Sequence, residues 1–131
     1  MTIDDDVRAI KALGEEYFAA TNLGDQNRCI ATMAPDVVIM PPNRRSIIGK
    51  EELRHVSREY HSKFKLNYHL VYDEVEVMGD LAFARATATG TRTALSDGSV
   101  EELLWRNFWI LKRQADGKWK FWRIIFNSAA S

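Results

Sequence analysis

The sequence has little that would tie it to a disulfide framework, a membrane or a nucleic acid. Cys29 is the only cysteine among 131 residues, so no disulfide can form within the chain, which fits a reducing compartment. No apolar run is long enough for a membrane span, and the acidic stretch from Met1 to Asp6 lacks the basic and apolar regions of a secretory leader. Eighteen acidic residues balance eighteen basic ones, so no net charge attracts nucleic acid. We therefore expect a cytoplasmic protein that binds neither membranes nor nucleic acids.

Recognisable cofactor and metal motifs are also missing. The sequence contains no phosphate-binding glycine loop, no zinc-type spacing of cysteine and histidine, and no nucleophile motif. His55 and Glu59 lie four residues apart on a predicted helix, which is typical of a solvated pair when no further ligand completes a metal set. We expect neither a metal nor a cofactor, and we interpret Cys29 as an inert core residue.

What the sequence does contain is the composition of one globular domain. With 46% hydrophobic and 27% charged residues, the chain suits a single core, and we expect one domain over residues 1–131. Apolar residues recur at three- and four-residue steps in the first half, whereas the period is two from Leu66 onward, which predicts an α+β fold. The predicted helices span 3–22, 26–33 and 50–62, and the predicted strands span 37–40, 66–77, 81–93, 103–111 and 119–127, with a β-bulge near Asp73.

The last two predicted strands form a hairpin that holds all four tryptophans. Its turn contains Asp116-Gly117, which supplies the positive φ angles of a tight turn. Side chains alternate along a strand, yet both faces of this hairpin are apolar. By alternation, one face carries Trp105, Asn107, Trp109, Trp122, Ile124 and Phe126. The other face carries Leu104, Phe108, Ile110, Trp119, Phe121 and Ile125.

Both faces of the hairpin therefore need cover, and three helices can cover only one of them. We expect the helices on the concave face of a curved sheet, and a second copy of the chain against the convex face, as a homodimer. Alanines at every second position from Ala82 to Ala88 would allow another sheet to approach closely. The alternative is that Phe108, Phe121 and Ile125 are simply half-exposed.

A series of short phrases runs through nearly the whole chain. They are Tyr17 to Asp25 (YFAATNLGD), Met33 to Val38 (MAPDVV), Ile48 to Glu51 (IGKE), Glu74 to Ala82 (EVEVMGDLA), Asp116 to Lys120 (DGKWK) and Phe126 to Ser128 (FNS). In this order and spacing they resemble the nuclear transport factor 2-like cone fold, and within it the SnoaL-like, ketosteroid isomerase-related branch. The resemblance implies a cone-shaped, curved antiparallel or mixed sheet with three helices on its concave face and a pocket between them. Its members include isomerases, cyclases, hydrolases, dehydratases and binding modules, so it does not specify a function.

The resemblance also bears on individual residues. It implies that Tyr17 takes the place of the isomerases' hydrogen-bonding tyrosine. Three positions at which relatives carry a carboxylate read Pro41, Trp109 and Ile124 in this chain. Because proton abstraction beside a carbonyl needs a positioned base, we do not expect the familiar isomerase chemistry.

The predicted pocket is an aromatic cup suited to a small apolar or aromatic ligand. The candidate catalytic residues are Tyr17, Asn107 and His69, as hydrogen-bond donors or as a general acid or base. The candidate ligand-binding residues are Met40, Arg85, Trp105, Trp109, Trp122, Ile124 and Phe126.

Each of these assignments has a structural alternative. The rings could simply fill the core, Tyr17 could bond to the backbone, and Asn107 could make a structural bond to the helices. Arg85 could pair with Glu101 or Glu102. A basic cluster of Arg44, Arg45 and Lys50 near the predicted mouth either attracts a carboxylate-bearing ligand or is a solvated loop.

Three functions remain open at this point. The chain could be an enzyme of SnoaL-like type, a non-catalytic binding module, or an assembly domain whose convex face is its purpose. An open cavity favours the first two, and a solid interior favours the third.

Overall fold

The structure is a computed structural model that describes residues 2–129. Its elements in chain order are α1 (Ile3–Leu23), α2 (Gln26–Ala31), β1 (Met33–Met40), β2 (Ile47–Ile48), α3 (Lys50–His61), β3 (Phe64–Met78), β4 (Leu81–Ala94), β5 (Val100–Arg113) and β6 (Trp119–Ser128). The strands form one curved sheet in the order β2-β1-β6-β5-β4-β3, antiparallel throughout except for the parallel pair β1 and β6. The α+β fold with helices on one face of a curved mixed sheet is the predicted one.

Helix α1 lies on the inner face of the sheet because both of its ends are fixed. Thr2 and Asp5 form a capping box at its start, and Gly24 ends it with a left-handed φ of 70°. In its last turn, the Asn22 side chain both donates to and accepts from the backbone of Tyr68, at 2.8 Å in each case. These hydrogen bonds join the last turn of α1 to β3, so α1 covers the inner face of the sheet.

The first strand starts earlier than predicted. Helix α2 ends at Ala31, not at Met33, and β1 runs from Met33 rather than from Val37. Pro35 therefore lies in a strand, at a point where the pairing of β1 with β6 is interrupted between Met33 and Val38. Proline has no backbone N–H. Where the pairing of the strands is already interrupted, its absence removes no hydrogen bond between them, which explains why the proline is tolerated.

A bulge in β3 bends the sheet at the predicted position. The pairing of β3 with β4 shifts between Tyr72 and Glu74, so Asp73 is the extra residue and the prediction is confirmed. Tyr68 and Tyr72 before the bulge, and Val75 after it, then share the inner face.

A second bulge, in β6, was not predicted. The pairing with β5 shifts between Arg123 and Phe121, and Trp122 is the extra residue. Phe121 and Trp119 consequently turn to the inner face, where both are buried, while Trp122 turns outward. The predictions that Trp122 lines the pocket and that Phe121 lies on the convex face were wrong, because strict alternation does not continue through an inserted residue.

The alanine row of β4 also lies on the inner face. Its four members, Ala82, Ala84, Ala86 and Ala88, are buried within the single chain, opposite the large rings of β3 and β5. Gly14 of α1 is equally tight, because a Cβ added there would lie 1.7 Å from Oη of Tyr72. The small residues make room for α1 and for large neighbours, so the prediction that they admit a second sheet was wrong.

One buried carboxylate joins the start of α1 to the end of the sheet. Asp6, only 5% exposed, accepts two hydrogen bonds from the Arg113 guanidinium at 2.9 and 2.8 Å and one from the Trp119 indole at 3.2 Å. Arg113 also lies over the Trp119 ring, 4.5 Å from its centroid, and pairs with Asp80. These hydrogen bonds, Arg113 first, hold the pKa of Asp6 below its usual value.

We expect Asp6→Asn to lower the free energy of unfolding at neutral pH. A carboxyl whose pKa is lowered by folding stabilises the fold above its unfolded pKa of about 3.9, and the contribution is lost as pH falls through the folded value. The difference between wild type and variant should therefore shrink below about pH 4. Denaturant unfolding across this range measures it, with the exposed neighbour Asp4→Asn as control. A difference that stays constant with pH would contradict the assignment.

Candidate functional site

A cavity of about 300 Å³ lies between the three helices and the inner face of the sheet. Apolar and aromatic side chains form most of its wall, and helix α3 closes the side between β1 and β3. The aromatic members are Tyr17, Phe18, Tyr60, Tyr68, Trp105 and Phe126, and the polar or charged ones include Thr21, Arg44, Ser57, His61, Arg92 and Asn107.

Tyr17 stands in the wall of this cavity, as the sequence predicts. Its ring packs against Phe121 and Trp109, with centroids 5.2 and 6.5 Å apart. The tyrosine keeps accessible surface although protein surrounds it, because that surface faces the cavity. Burial raises the pKa of its hydroxyl well above the ordinary value, so the group is a neutral donor at physiological pH. No residue between 2 and 129 hydrogen-bonds that hydroxyl.

Tyr68 also lines the cavity, but its hydroxyl oxygen has almost no accessible surface. Its Oη is buried and has no hydrogen-bond partner in the described part of the chain. Burial raises the pKa of Tyr68 to about 12, although the nearby Trp105 indole lowers it in part without completing a hydrogen bond. A buried hydroxyl without a partner is unfavourable by about 1–3 kcal/mol, and the Trp109 indole N–H is a second buried group without a partner in the described residues.

Asn107 interrupts the apolar inner face of β5 at the cavity wall. The hydrogen bond of its side chain within residues 2–129 runs from Nδ2 to the Trp105 carbonyl oxygen, at a long 3.3 Å. The predicted structural bond from Asn107 to the helices does not form, and the amide is left available to the cavity.

His61, at the end of α3, is the histidine that reaches the cavity, but its ring nitrogens are engaged. Nδ1 lies 2.8 Å from the Ser57 carbonyl oxygen and Nε2 lies 2.9 Å from the Thr21 carbonyl oxygen. A carbonyl oxygen only accepts, so a ring nitrogen that carries a proton donates to the carbonyl it contacts, and which nitrogen does so depends on the tautomer. His61 therefore links α3 to the last turn of α1 and does not present a free lone pair to a ligand.

Cys29 of α2 completes the inner wall as a neutral thiol. Burial raises its pKa to about 11, so the thiolate that a nucleophile requires is not populated at neutral pH. Within residues 2–129, no set of three or more His, Cys, Asp or Glu side chains is arranged to hold a metal ion. The same part of the chain has no helix that is both long and apolar enough to cross a membrane.

The charged groups of the cavity wall are both arginines, and the wall contains no aspartate or glutamate. Arg92 is paired: it lies 2.9 Å from Glu101, donates to Oη of Tyr60 at 3.1 Å and packs over the Phe64 ring. Arg44 is exposed and has no ion-pair partner in the described residues.

The structure brings together Tyr17, Asn107, Trp105 and Phe126 of the predicted site. Trp105 and Phe126 meet edge to face at 5.4 Å in the cavity wall. Trp109 and Ile124 lie on the same face but are fully buried beneath the wall, where they form core rather than ligand surface.

The other predicted site residues lie on the outer face of the sheet. Met40 pairs with the exposed Ile125, and His69 points outward on β3. Arg85 pairs with Glu74 of the neighbouring strand, on the outer side. All three assignments to the pocket were wrong, because the parity of each strand was fixed by its neighbours and bulges and could not be read from the strand alone.

Trp122 occupies the outer face as well. Arg123 and Lys112 lie over its ring, 4.0 and 4.8 Å from the centroid, and its indole donates to Asp36 at 3.1 Å. These two cation–π contacts and one hydrogen bond hold the Trp122 ring at the surface, away from the cavity.

Sequence reasoning missed Tyr68, Tyr60, His61 and Arg92. From the sequence, His61 was assigned no functional role, although Leu53, Ser57, Tyr60 and His61 recur at helical spacing and form the face of α3 that meets the cavity. Tyr68 carried a signal too, since it shares its parity with Leu70 and Tyr72 on the inner face of β3.

Comparison with known proteins agrees with this architecture. Among curated proteins, none matches the chain. A solved ketosteroid isomerase-like protein from Erwinia carotovora atroseptica SCRI1043 is 27% identical, with a TM-score of 0.91 over 98% of this chain and 100% of that one. A conserved protein from Planctomyces limnophilus DSM 3776 is 23% identical, with a TM-score of 0.87 over 96% of this chain and 99% of that one. A Novosphingobium aromaticivorans DSM 12444 protein, named only provisionally as a scytalone dehydratase, is 15% identical, with a TM-score of 0.87 over 95% and 85% of the two chains. The SnoaL-like domain model matches residues 15–122, and the chain therefore belongs to the SnoaL-like family.

Proposed function

We propose that this protein binds a small, mostly apolar molecule in the cavity between its helices and its sheet. The observation that carries the proposal is an aromatic cavity into which neutral polar groups point without protein partners. Such a combination, apolar walls with a few placed donors, is the usual form of a small-molecule site.

The volume indicates the size of the ligand. An apolar cavity of about 150 Å³ accommodates benzene. At about 300 Å³, this cavity has room for a molecule of bicyclic size. The rings of Trp105 and Phe126 offer it edge and face contacts.

The polar groups indicate how the ligand would be oriented. Tyr17 and Tyr68 stay protonated and donate, while the Asn107 amide both donates and accepts. A carbonyl or hydroxyl oxygen on the ligand would accept a hydrogen bond from Tyr17, which keeps accessible surface in the cavity, or from the Asn107 amide. Two neutral donors can also polarise a carbonyl group, which is the contribution that a hydrogen-bonding tyrosine makes in a catalytic site.

The chemistry of the wall favours binding over proton abstraction. The wall has no carboxylate, Cys29 is held as a neutral thiol, and both nitrogens of His61 contact carbonyl oxygens. The solved relatives carry isomerase-like and dehydratase names, and an activity of that kind here would depend on the tyrosine hydroxyls. A binding function needs no further group.

We further propose that the outer face of the sheet joins two copies of the chain. Phe108 and Ile125, 40% and 45% exposed, are neighbours on β5 and β6, and Phe83 stacks on Phe108 at 5.6 Å. Met40 of β1 extends the same surface beside Ile125. An apolar sheet face of this kind is suited to an isologous interface, in which the same patch meets itself.

The cavity assignment is tested by substitution of its polar groups. We expect Tyr17→Phe and Asn107→Leu each to weaken the binding of 2-naphthalenemethanol, an uncharged bicyclic probe, by roughly tenfold, because each removes a hydrogen bond of about 1 kcal/mol or more. Equilibrium dialysis measures the affinity, and thermal unfolding shows whether the variants fold. Trp122→Phe, on the outer face, is the control. Unchanged binding by both cavity variants would contradict the assignment.

Tyr68→Phe separates stability from binding. Because the Tyr68 hydroxyl lacks a partner in the free protein, we expect its removal to raise the free energy of unfolding by about 1 kcal/mol, and the affinity for the probe to change little because this oxygen has almost no accessible surface. Tyr72→Phe is the matched control: it loses a hydrogen bond to the Ile10 carbonyl oxygen at 3.0 Å and should be less stable. Loss of stability in Tyr68→Phe would indicate that its hydroxyl is satisfied within the fold.

The interface is tested by charge. Phe108→Arg should convert a dimer into a monomer in sedimentation velocity, because two guanidinium groups would meet near the symmetry axis without a partner. Leu95→Arg, at an apolar residue that is more exposed than Phe108 (56% against 40%) and lies outside the sheet face, should leave the assembly unchanged. A wild-type protein that sediments as a monomer at high concentration would rule the interface out.

A further inference from the structure

The charged side chains of the cavity wall are of one sign. Their charge indicates more about the ligand than the shape of the cavity does. Its charged members are Arg44 and Arg92, and neither aspartate nor glutamate contributes to it. A cationic ligand would therefore meet the Arg44 guanidinium without a counter-charge and the Arg92 guanidinium already paired with Glu101. A neutral ligand would use neither arginine.

The two arginines differ in what they can offer. Arg92 is already committed to Glu101 at 2.9 Å and to Tyr60 at 3.1 Å, and its side chain is largely covered. Arg44 has no ion-pair or hydrogen-bond partner for its side chain among residues 2–129, and it borders the cavity while remaining exposed to solvent. Arg44 is thus the cation of this wall that remains available to a ligand.

The backbone holds Arg44 at this place. Pro41 and Pro42 also line the cavity and restrict the chain as it leaves β1. Asn43 then adopts a left-handed conformation with a φ of 59°, which turns the chain back towards β2. Arg44 follows directly, on a short turn between two paired strands, so restricted backbone places this residue at the cavity wall.

From this arrangement we infer that the ligand is an amphiphilic anion: a carboxylate attached to an aromatic or alicyclic body, with the carboxylate on Arg44 and the body inside. The inference rests on the proposed binding function and adds a substrate class to it. A carboxylate at Arg44 stays in contact with water, so little of its hydration is lost, while the apolar body leaves water for the aromatic wall. A guanidinium binds a carboxylate through two parallel hydrogen bonds, which also fixes the ligand's direction.

The test compares three probes that share one ring system. 2-Naphthoate is anionic, 2-naphthalenemethanol is neutral and 2-naphthylmethylammonium is cationic, and each is measured by equilibrium dialysis at neutral pH. We expect naphthoate to bind at least about tenfold more tightly than the alcohol, which corresponds to about 1.4 kcal/mol, and the ammonium most weakly. Because Arg44 is exposed, the preference for naphthoate should decrease as salt is raised.

Variants assign the preference to one side chain. Arg44→Met should bring naphthoate down to the affinity of the alcohol and leave the alcohol unchanged, and Arg44→Lys should keep part of the preference. Arg45→Met is the matched control, since Arg45 is an exposed neighbour in the same loop that does not border the cavity. It should bind all three probes as wild type does.

The outcomes distinguish the anionic ligand class from the binding function itself. If the alcohol binds and naphthoate binds no more tightly, or if Arg44→Met keeps the preference, the anionic ligand class is wrong while the binding function stands. If none of the three probes binds, the cavity is not a site for bicyclic ligands, and both the proposed function and this inference fall.

Discussion

The packing around Trp109 is the constraint on which the rest of the molecule depends. This ring is fully buried at the centre of the inner sheet face, and it contacts rings from α1, β3 and β6. Gly14 and the alanines of β4 are small because Trp109 and Tyr72 take the space between helix and sheet. One end of the inner face is thereby packed solid, with Phe121, Leu111 and Ile124 around the same ring. Large side chains bound the other end without filling it, and the cavity remains there.

This division explains why a chain rich in aromatic residues still contains a cavity. The interior rings fall into two groups: those near Trp109 contact one another and exclude ligand, whereas Trp105 and Phe126 contact each other and face empty volume. Helix α3 borders the cavity at this end with Leu53, Val56 and Tyr60, and Tyr60 joins it to the sheet through Phe64 and Arg92. The core and the site are therefore two ends of one inner surface.

The polar groups of the cavity differ from those of an active site that works through a carboxylate. Tyr17, Tyr68 and Cys29 are all kept neutral by burial, and of the two arginines at the wall Arg92 is paired with Glu101 whereas Arg44 has no ion-pair partner in the described residues. The buried carboxylate of the chain, Asp6, lies instead at the far end of α1, where Arg113 and Trp119 satisfy it for a structural purpose. The charge of the molecule is balanced overall, yet the acidic residues lie away from the cavity wall.

The sequence by itself determined the fold class, the bulge at Asp73, the hairpin at Asp116-Gly117 and the roles of Tyr17, Asn107, Trp105 and Phe126 as wall residues. These follow from local signals: the hydrophobic period, turn residues and a polar residue in an apolar strand. Only the tertiary structure decided which side of the sheet Trp122, Phe121, Met40, Arg85 and His69 occupy, since one inserted residue in β6 reverses the alternation and the pairing partner fixes the parity. It also decided that His61 and Tyr68 meet Tyr17 in one cavity. That meeting depends on the angle at which α3 crosses the end of the sheet, and such an angle is set by contacts distant in the sequence, not by the residues of the helix alone.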